Sequence, residues 1–470
     1  VPDRSLDATT RPPHPFVFTL LIVPFGAVGG YVQVAMAFLA TRFGLSVEDA
    51  ALLIAAGMVP HVWKFFWSPI VDTTLTRKRW YLISVVLCAL GITAMSAIPL
   101  GKENLHLLEV VIFVTNLAST FLGMSVEGLM AHATPPAQRG RVGGWFQAGN
   151  LGGSGLGGGA GLWMATHMPS PWMSGAVLGL WFVAGAAMLR FVPEAYAEAR
   201  VGSLLHAMKG VIVELWQMVK SRSGILCAVL CLLPIGTGAA TNVLSQAEVA
   251  AKWGVAEDTV SLVNGVLNGL ISAIGCLVGG EICARVSSRR AYAVFGLLMA
   301  GVAAAMALSP FVPSMYVAFI LAYAFVTGLC YAAFTGFVLD AIGRGAAATK
   351  YNAFASLSNT PITYMGLVLA WAFGLTGWHR LFGGDASGKT AGLFAPETLG
   401  ARGMLVTEAA GGVLGLIALA GVVVAVRNMR EKTALQCSKC GYDLSGLESA
   451  ARCPECGEVL PPTTAAAPVH

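Results

Sequence analysis

Charge is scarce in this chain. Only 11% of its 470 residues are Asp, Glu, Lys or Arg, against about 25% in a soluble domain, which excludes an ordinary globular fold in water. Hydrophobic residues make up 56% and the mean hydropathy is +0.71, so the composition is that of a membrane protein. The motifs of enzyme chemistry are missing as well: no Gly-rich phosphate loop, nucleophile elbow or His-Glu-x-x-His occurs. A leader pattern is also lacking. Residues 1–14 are polar, carry Arg4 and Arg11, and have no small-residue cleavage site, so the first apolar run is expected to stay in the mature protein. The formal charge of +5 reflects basic residues that orient loops, not a nucleic-acid footprint. Six of the ten cysteines (Cys88, Cys227, Cys231, Cys276, Cys283 and Cys330) are scattered through apolar segments, the distribution of small packing residues.

What the chain has in abundance is long apolar runs. A span of about 30 Å of hydrocarbon takes about 20 residues. Twelve runs qualify, near 15–40, 46–70, 80–100, 105–133, 141–166, 171–192, 224–251, 258–285, 290–309, 313–343, 347–375 and 403–427. With the N-terminus inside, 22 Lys and Arg fall on the cytoplasmic side and six on the outer side, with Lys64 within a run. That bias predicts an inner-membrane protein with both termini cytoplasmic.

The expected fold is therefore all-α, with twelve transmembrane helices in two six-helix bundles and a small zinc ribbon tail. Its parts are a cytoplasmic tail (1–14), a first bundle (15–192), a linker (193–223), a second bundle (224–427), the ribbon (428–460) and a flexible end (461–470). In the linker Leu204, Leu205, Met208, Val211, Ile212, Leu215 and Met218 recur at helical spacing, predicting an interfacial amphipathic helix. The bundles read as parallel repeats. Ser68, Asp72 and Arg77 between spans two and three match Gly280, Ala284 and Arg289 between spans eight and nine. Arg139-Gly140 and Arg344-Gly345 open spans five and eleven.

In span five Gly149, Gly153, Gly157 and Gly161 recur every four residues, as do Asn264, Asn268, Ser272, Cys276 and Gly280 in span eight. Small residues on one face let helices approach closely. The two rows are expected to face each other across a central cavity, or simply to pack tightly.

A charge in hydrocarbon is expensive and marks a functional candidate. Lys64 lies about 9 Å from the inner end of span two, at 1.5 Å per residue. Glu127 lies near the inner end of span four, and Asp340 near that of span ten as its repeat counterpart. Burial disfavours a carboxylate's charge unless a cation holds it ionised, so a Lys64–Glu127 pair that protonation breaks is one reading. The other has Lys64 snorkelling to headgroups and Glu127 pinning the next loop through Arg139 or Arg141. Asp72, Arg77, Arg139, Arg285 and Arg344 are candidate gating or structural loop residues. Asn242, Gln246 and Glu248 at the outer end of span seven, and Asn352, Ser356 and Thr360 on span eleven, either line a polar cavity or bond between helices. His132 is expected to be solvated.

The tail holds Cys437-Ser-Lys-Cys440 and Cys453-Pro-Glu-Cys456, each followed by Gly. Four thiolates at that spacing suit tetrahedral zinc, with iron the main competitor. A cytoplasmic tail keeps them reduced, and so short a segment folds on its metal. The run resembles a zinc ribbon appended to many unrelated bacterial proteins.

Lys64-Phe-Phe-Trp-Ser-Pro-Ile-Val-Asp72 resembles the signature of AmpG-like permeases in the major facilitator superfamily. The likeness extends to Gly279-Gly280 with Arg285 and to Ala348-Thr349-Lys350-Tyr351-Asn352-Ala353. That family includes muropeptide permeases and acetyl-coenzyme A transporters. The resemblance implies secondary active transport, proton-driven, and carries over Lys64 and Asp72. Of the family's two span-four acids the second becomes Glu127 and the first falls at Gly123, a departure that bears on substrate and coupling ion. The expectation is a symporter for a polar organic solute, such as a muropeptide or other saccharide-type metabolite, by alternating access, with the bilayer, protons and the solute as partners. The alternative is a non-transporting membrane scaffold that recruits a protein partner through the zinc ribbon.

Overall fold

The computed structural model describes residues 12–45, 47–193, 204–342, 347–375 and 396–434. Among these no strand occurs; ordered elements are helices. The chain divides into two compact units, Val1–Leu416 and Ile417–His470, and the packing and contacts described below lie within the first.

The principal helices ahead of the linker are α1 (Phe16–Gly30), α2 (Val47–Thr73), α3 (Arg77–Ala97), α4 (Leu105–Ala133), α5 (Arg139–Gly155) and α6 (Trp172–Gly185). The linker holds α7 (Leu204–Lys220), which buries Val211 and Met218 while Ile212 is exposed, and it packs on α2 and its successor. Then follow α8 (Arg222–Leu232), α9 (Ala240–Leu244), α10 (Asn268–Cys283), α11 (Ser288–Leu308), α12 (Pro313–Ile342), α13 (Ala347–Gly374) and α14 (Leu399–Ala434). Polar caps start two of them. Thr76 accepts the Arg79 N–H at 3.3 Å ahead of α3, and Ser221 accepts that of Gly224 at 3.0 Å ahead of α8, satisfying donors a helix start leaves free.

Helices overlie all twelve apolar runs, but eight helical segments among the described residues are long and apolar enough to cross a membrane. The other four runs are diluted for identifiable reasons. Pro60, His61, Lys64 and Pro69 interrupt α2, glycine dominates α5, and Lys350, Asn352 and Asn359 sit in α13. The run at 224–251 is not one helix. It stops at Leu232 and restarts at Ala240, because Pro234 has no N–H to donate and Gly236 and Gly238 take φ of +63° and +59°, a region closed to most side chains.

The core is a seam of helices in which α1 packs on α5, α5 on α10, and α10 on α12. The expected glycine row does not face span eight. Gly149, Gly153 and Gly157 lie on the backbone of α1 at Thr19, Val23 and Ala27, and Gly161 meets the Tyr31 ring. A second row does that work: Gly144 lies on Gly280 and Cys276, Gly155 on Gly269, and Gly159 on Val266. Span five is glycine-rich on both sides, and a π-turn at Leu156–Ala160 shifts the phase partway along. Without lipid-driven burial between helices, such close backbone approach supplies the packing energy.

Candidate functional site

A cavity of about 350 Å³ lies between helices of the two halves of the chain. The first half lines it with Gln33, His61, Lys64, Glu127, Gln147 and Asn150, and the second with Thr237, Tyr331, Tyr351, Ser358 and Asn359. Aromatic walls come from Phe25, Phe146 and Phe334.

Its polar groups are tied together across the seam. Lys64 Nζ lies 3.9 Å from Glu127 Oε1, with side-chain exposures of 9% and 5%. Asn352 of α13 donates to Glu127 Oε2 at 2.7 Å and to the Ala348 carbonyl at 2.7 Å. Glu127 therefore holds a cation from its own half and an amide from the other. In parallel, Asn150 donates to Gln147 (3.0 Å), Gln147 to Thr335 (2.8 Å), and the Thr335 hydroxyl meets that of Tyr351 (3.1 Å). His61 bonds Asn116 at 3.1 Å and lies edge-on to the Phe25 ring.

Below the cavity stands a latch. Asp72 sits eight residues beyond Lys64 on α2, about 12 Å along the helix. Its Oδ2 accepts the Thr349 N–H (2.8 Å) and hydroxyl (2.9 Å), while Oδ1 accepts from Arg77 (2.9 Å). A carboxylate of one half thus caps the N-terminus of α13 in the other, where free N–H groups and the helix dipole favour negative charge. Arg139 donates to Asp340 at 3.2 Å, and Arg141 makes a bidentate pair with Glu281 at 2.9 and 3.0 Å, which Arg285 joins at 3.1 Å. All these contacts lie at the ends predicted to face the cytoplasm.

The expected site residues thus separate into groups. Lys64, Glu127 and Asn352 come together. Asp340 lies outside the cavity, paired with Arg139, and so belongs with the latch, as do Asp72, Arg77 and Arg285. Asn242 and Gln246 are exposed on and just beyond α9 and are not among the cavity's lining residues. On α13 the lining row is Tyr351, Ala355, Ser358, Asn359 and Ile362, one position round from Asn352, Ser356 and Thr360. His132 bonds the Gly128 carbonyl at 2.8 Å. Arg344 and the tail cysteines Cys437, Cys440, Cys453 and Cys456 lie outside the described residues, as does the side chain of Glu248.

Sequence reasoning passes over Gln147, Asn150 and Thr335, since scattered amides and hydroxyls carry no motif. It also passes over Glu408, which is 4% exposed and accepts the Ala240 N–H at 2.8 Å. A lone acid in an apolar run was the available signal.

Residues 18–362 match the family model for the Major Facilitator Superfamily. The chain belongs to the major facilitator superfamily. It is 22% identical over 338 residues to the anhydromuropeptide permease of Escherichia coli K12, covering 68% of this chain and 67% of that one; the Escherichia coli O157:H7 permease matches equally. Among solved structures it resembles the proton:xylose symporter XylE (TM-score 0.57, 13% identity, 86% of this chain and 94% of that one). It also resembles the human organic anion transporter MFSD10 (0.61, 15%, 86% and 97%) and the Escherichia coli fucose:proton symporter FucP (0.61, 12%, 86% and 98%). At such identities these structures speak to the fold alone. This facilitator is a multi-pass membrane transporter, not an enzyme.

Proposed function

We propose that this facilitator is a proton-coupled symporter of a polar, saccharide-type solute, working by alternating access with twelve spans and both termini cytoplasmic in the inner membrane. The observation that carries the reading is Glu127 held at once by Lys64 and, across the seam, by Asn352. Protonation removes the charge that strengthens both contacts. The tie between the halves then loosens, and Lys64 is left free to meet an anionic group of the solute. The amides and hydroxyls of Gln33, Gln147, Asn150 and Asn359 beside Phe25 and Phe146 suit a hydroxylated ring with one polar and one apolar face. A volume of about 350 Å³ is at the small end of ligand pockets. At Gly123, where the permease pattern has its first acid, a Cβ would stand 3.0 Å from the Phe25 ring. A second carboxylate there would have to push the Phe25 ring aside, and Glu127 is the acid that this chain keeps on span four.

Uptake of labelled anhydro-muropeptide and of a labelled hexose into proteoliposomes under an imposed pH gradient tests this. The expected result is gradient-driven uptake of one of them by the wild type, lost in Glu127→Gln, which keeps solute exchange. Uptake that ignores the gradient overturns the coupling.

For the tail we propose that Cys437, Cys440, Cys453 and Cys456 hold one structural zinc, the chemistry four thiolates at this spacing suit. Metal analysis of the purified chain is expected to give about one zinc per protein, lost when the four are replaced by Ser. Zinc-free protein from metal-replete cells rejects it.

A further inference from the structure

The break between α8 and α9 is supported by side chains from four other helices. Its freed carbonyls are taken by tyrosines: Tyr364 of α13 donates to Leu232 O at 3.0 Å, and Tyr292 of α11 to Ile235 O at 2.9 Å. Where the helix restarts, the Ala240 N–H donates to Glu408 Oε2 on α14 at 2.8 Å, and Thr237 reaches Oε1 at 3.5 Å. The Tyr323 hydroxyl of α12, fully buried, faces the same carboxyl without a well-formed hydrogen bond. Backbone freed within a membrane must be satisfied by neighbours, and here each neighbour is polar but neutral except one.

That exception is Glu408. No cation pairs with it among the described residues. On its own helix Arg402 is six residues away, about 9 Å along the axis, and is committed to the Ala307 and Ser309 carbonyls and the Phe311 ring. From the packed helices the titratable groups are Tyr323, the committed Tyr292 and Tyr364, and the Cys330 thiol against Gly236. A cap alone needs only an acceptor, which a neutral amide supplies without the cost of a buried charge. The acid adds one property the amide lacks, the capacity to take up a proton. Ile235, Gly236 and Thr237 of the break also line the cavity, so a change there reaches the solute.

We propose that Glu408 is a second proton-binding carboxyl, in the second half of the chain: as a carboxylate it holds the break between α8 and α9 together, and on protonation it releases the segment beyond. The inference rests on the proton-coupled reading above. The charge-assisted hydrogen bond to Ala240 is stronger than one to a neutral acid, so proton uptake loosens the restart of the helix while the tyrosines keep their carbonyls. Glu127 and Glu408 then place one titratable group in each half.

The test uses the full-length protein in proteoliposomes. Infrared difference spectra across a pH titration are recorded for wild type, Glu127→Gln and Glu408→Gln, with hydrogen exchange of the 233–246 segment corrected for intrinsic rates. The expected result is one protonating carboxyl band missing from each variant. Exchange at the break rises up to about tenfold from alkaline to acid pH in the wild type, the difference between a charge-assisted and a neutral hydrogen bond, and stays flat in Glu408→Gln, whose neutral amide accepts from Ala240 equally at every pH. If Glu408→Gln loses no band while Glu127→Gln does, the inference fails and proton coupling stands. The reverse pattern keeps Glu408 and removes Glu127. Should the Gln variant not fold, pH-independent exchange in the wild type alone overturns the proposal.

Discussion

Glu127 earns its importance from geometry: one oxygen faces Lys64 at 3.9 Å and the other takes the Asn352 amide at 2.7 Å. Two buried charges that neutralise each other contribute little net stability, but stranding either is costly. Lys64→Met alone is expected to destabilise by about 3–5 kcal/mol, seen as a lower Tm in detergent. Lys64→Met with Glu127→Gln recovers most of the loss, giving the large coupling of groups in contact. Additive losses would mean the pair does not interact. Both charges were visible in the sequence because each interrupts an apolar run. Asn352 stood out too as part of a polar stripe, but its bond to Glu127 did not, because a polar stripe at four-residue spacing does not say which neighbour it meets. On α13 the cavity row runs through Tyr351 and Ala355, turned from the Asn352 row by about 100°.

At the scale of elements, glycine decides which helices touch. A Cβ at Gly26 would overlap the Asn150 carbonyl, whereas one at Gly29 meets only the Gln33 amide at 3.9 Å. Gly26→Ala is expected to cost about 1–3 kcal/mol by overpacking, with lower yield and Tm, and Gly29→Ala to lower neither. On α7 nothing lies within 4 Å of a Cβ at Gly210, so Gly210→Ala gains about 0.5–1 kcal/mol from helix propensity, read as a higher Tm. The sequence announced that span five packs closely but not against what, since its glycines populate two faces and a π-turn changes the phase. Span seven read as continuous on hydropathy alone. Pro234, Gly236 and Gly238 were the local warning, but only the side chains that satisfy the freed backbone, Tyr292, Tyr364 and Glu408, make the break stable.

Across the whole molecule, the halves meet at the predicted inner end through Asp72 on Thr349, Arg139 on Asp340 and Arg141 on Glu281. Asp72, Arg77, Arg139 and Arg285 stood out in the sequence as loop charges beside repeat-matched positions. Thr349 and Glu281, their partners hundreds of residues away or across the seam, did not, because pairing is a property of the assembled halves. If transport requires this end to open, tethering it must stop the cycle without emptying the cavity. Arg139→Cys with Asp340→Cys removes only a partly exposed ion pair, worth about 0–1 kcal/mol, so the unlinked double variant should transport within about fivefold of wild type. Bridging the two thiols with a short reductant-cleavable bismaleimide is expected to bring uptake to the level of empty vesicles, with solute binding retained and uptake restored on cleavage. Uptake that continues in the fully linked protein would show that solute passes without the inner ends parting, and the latch would then be a structural brace on the loops rather than a gate.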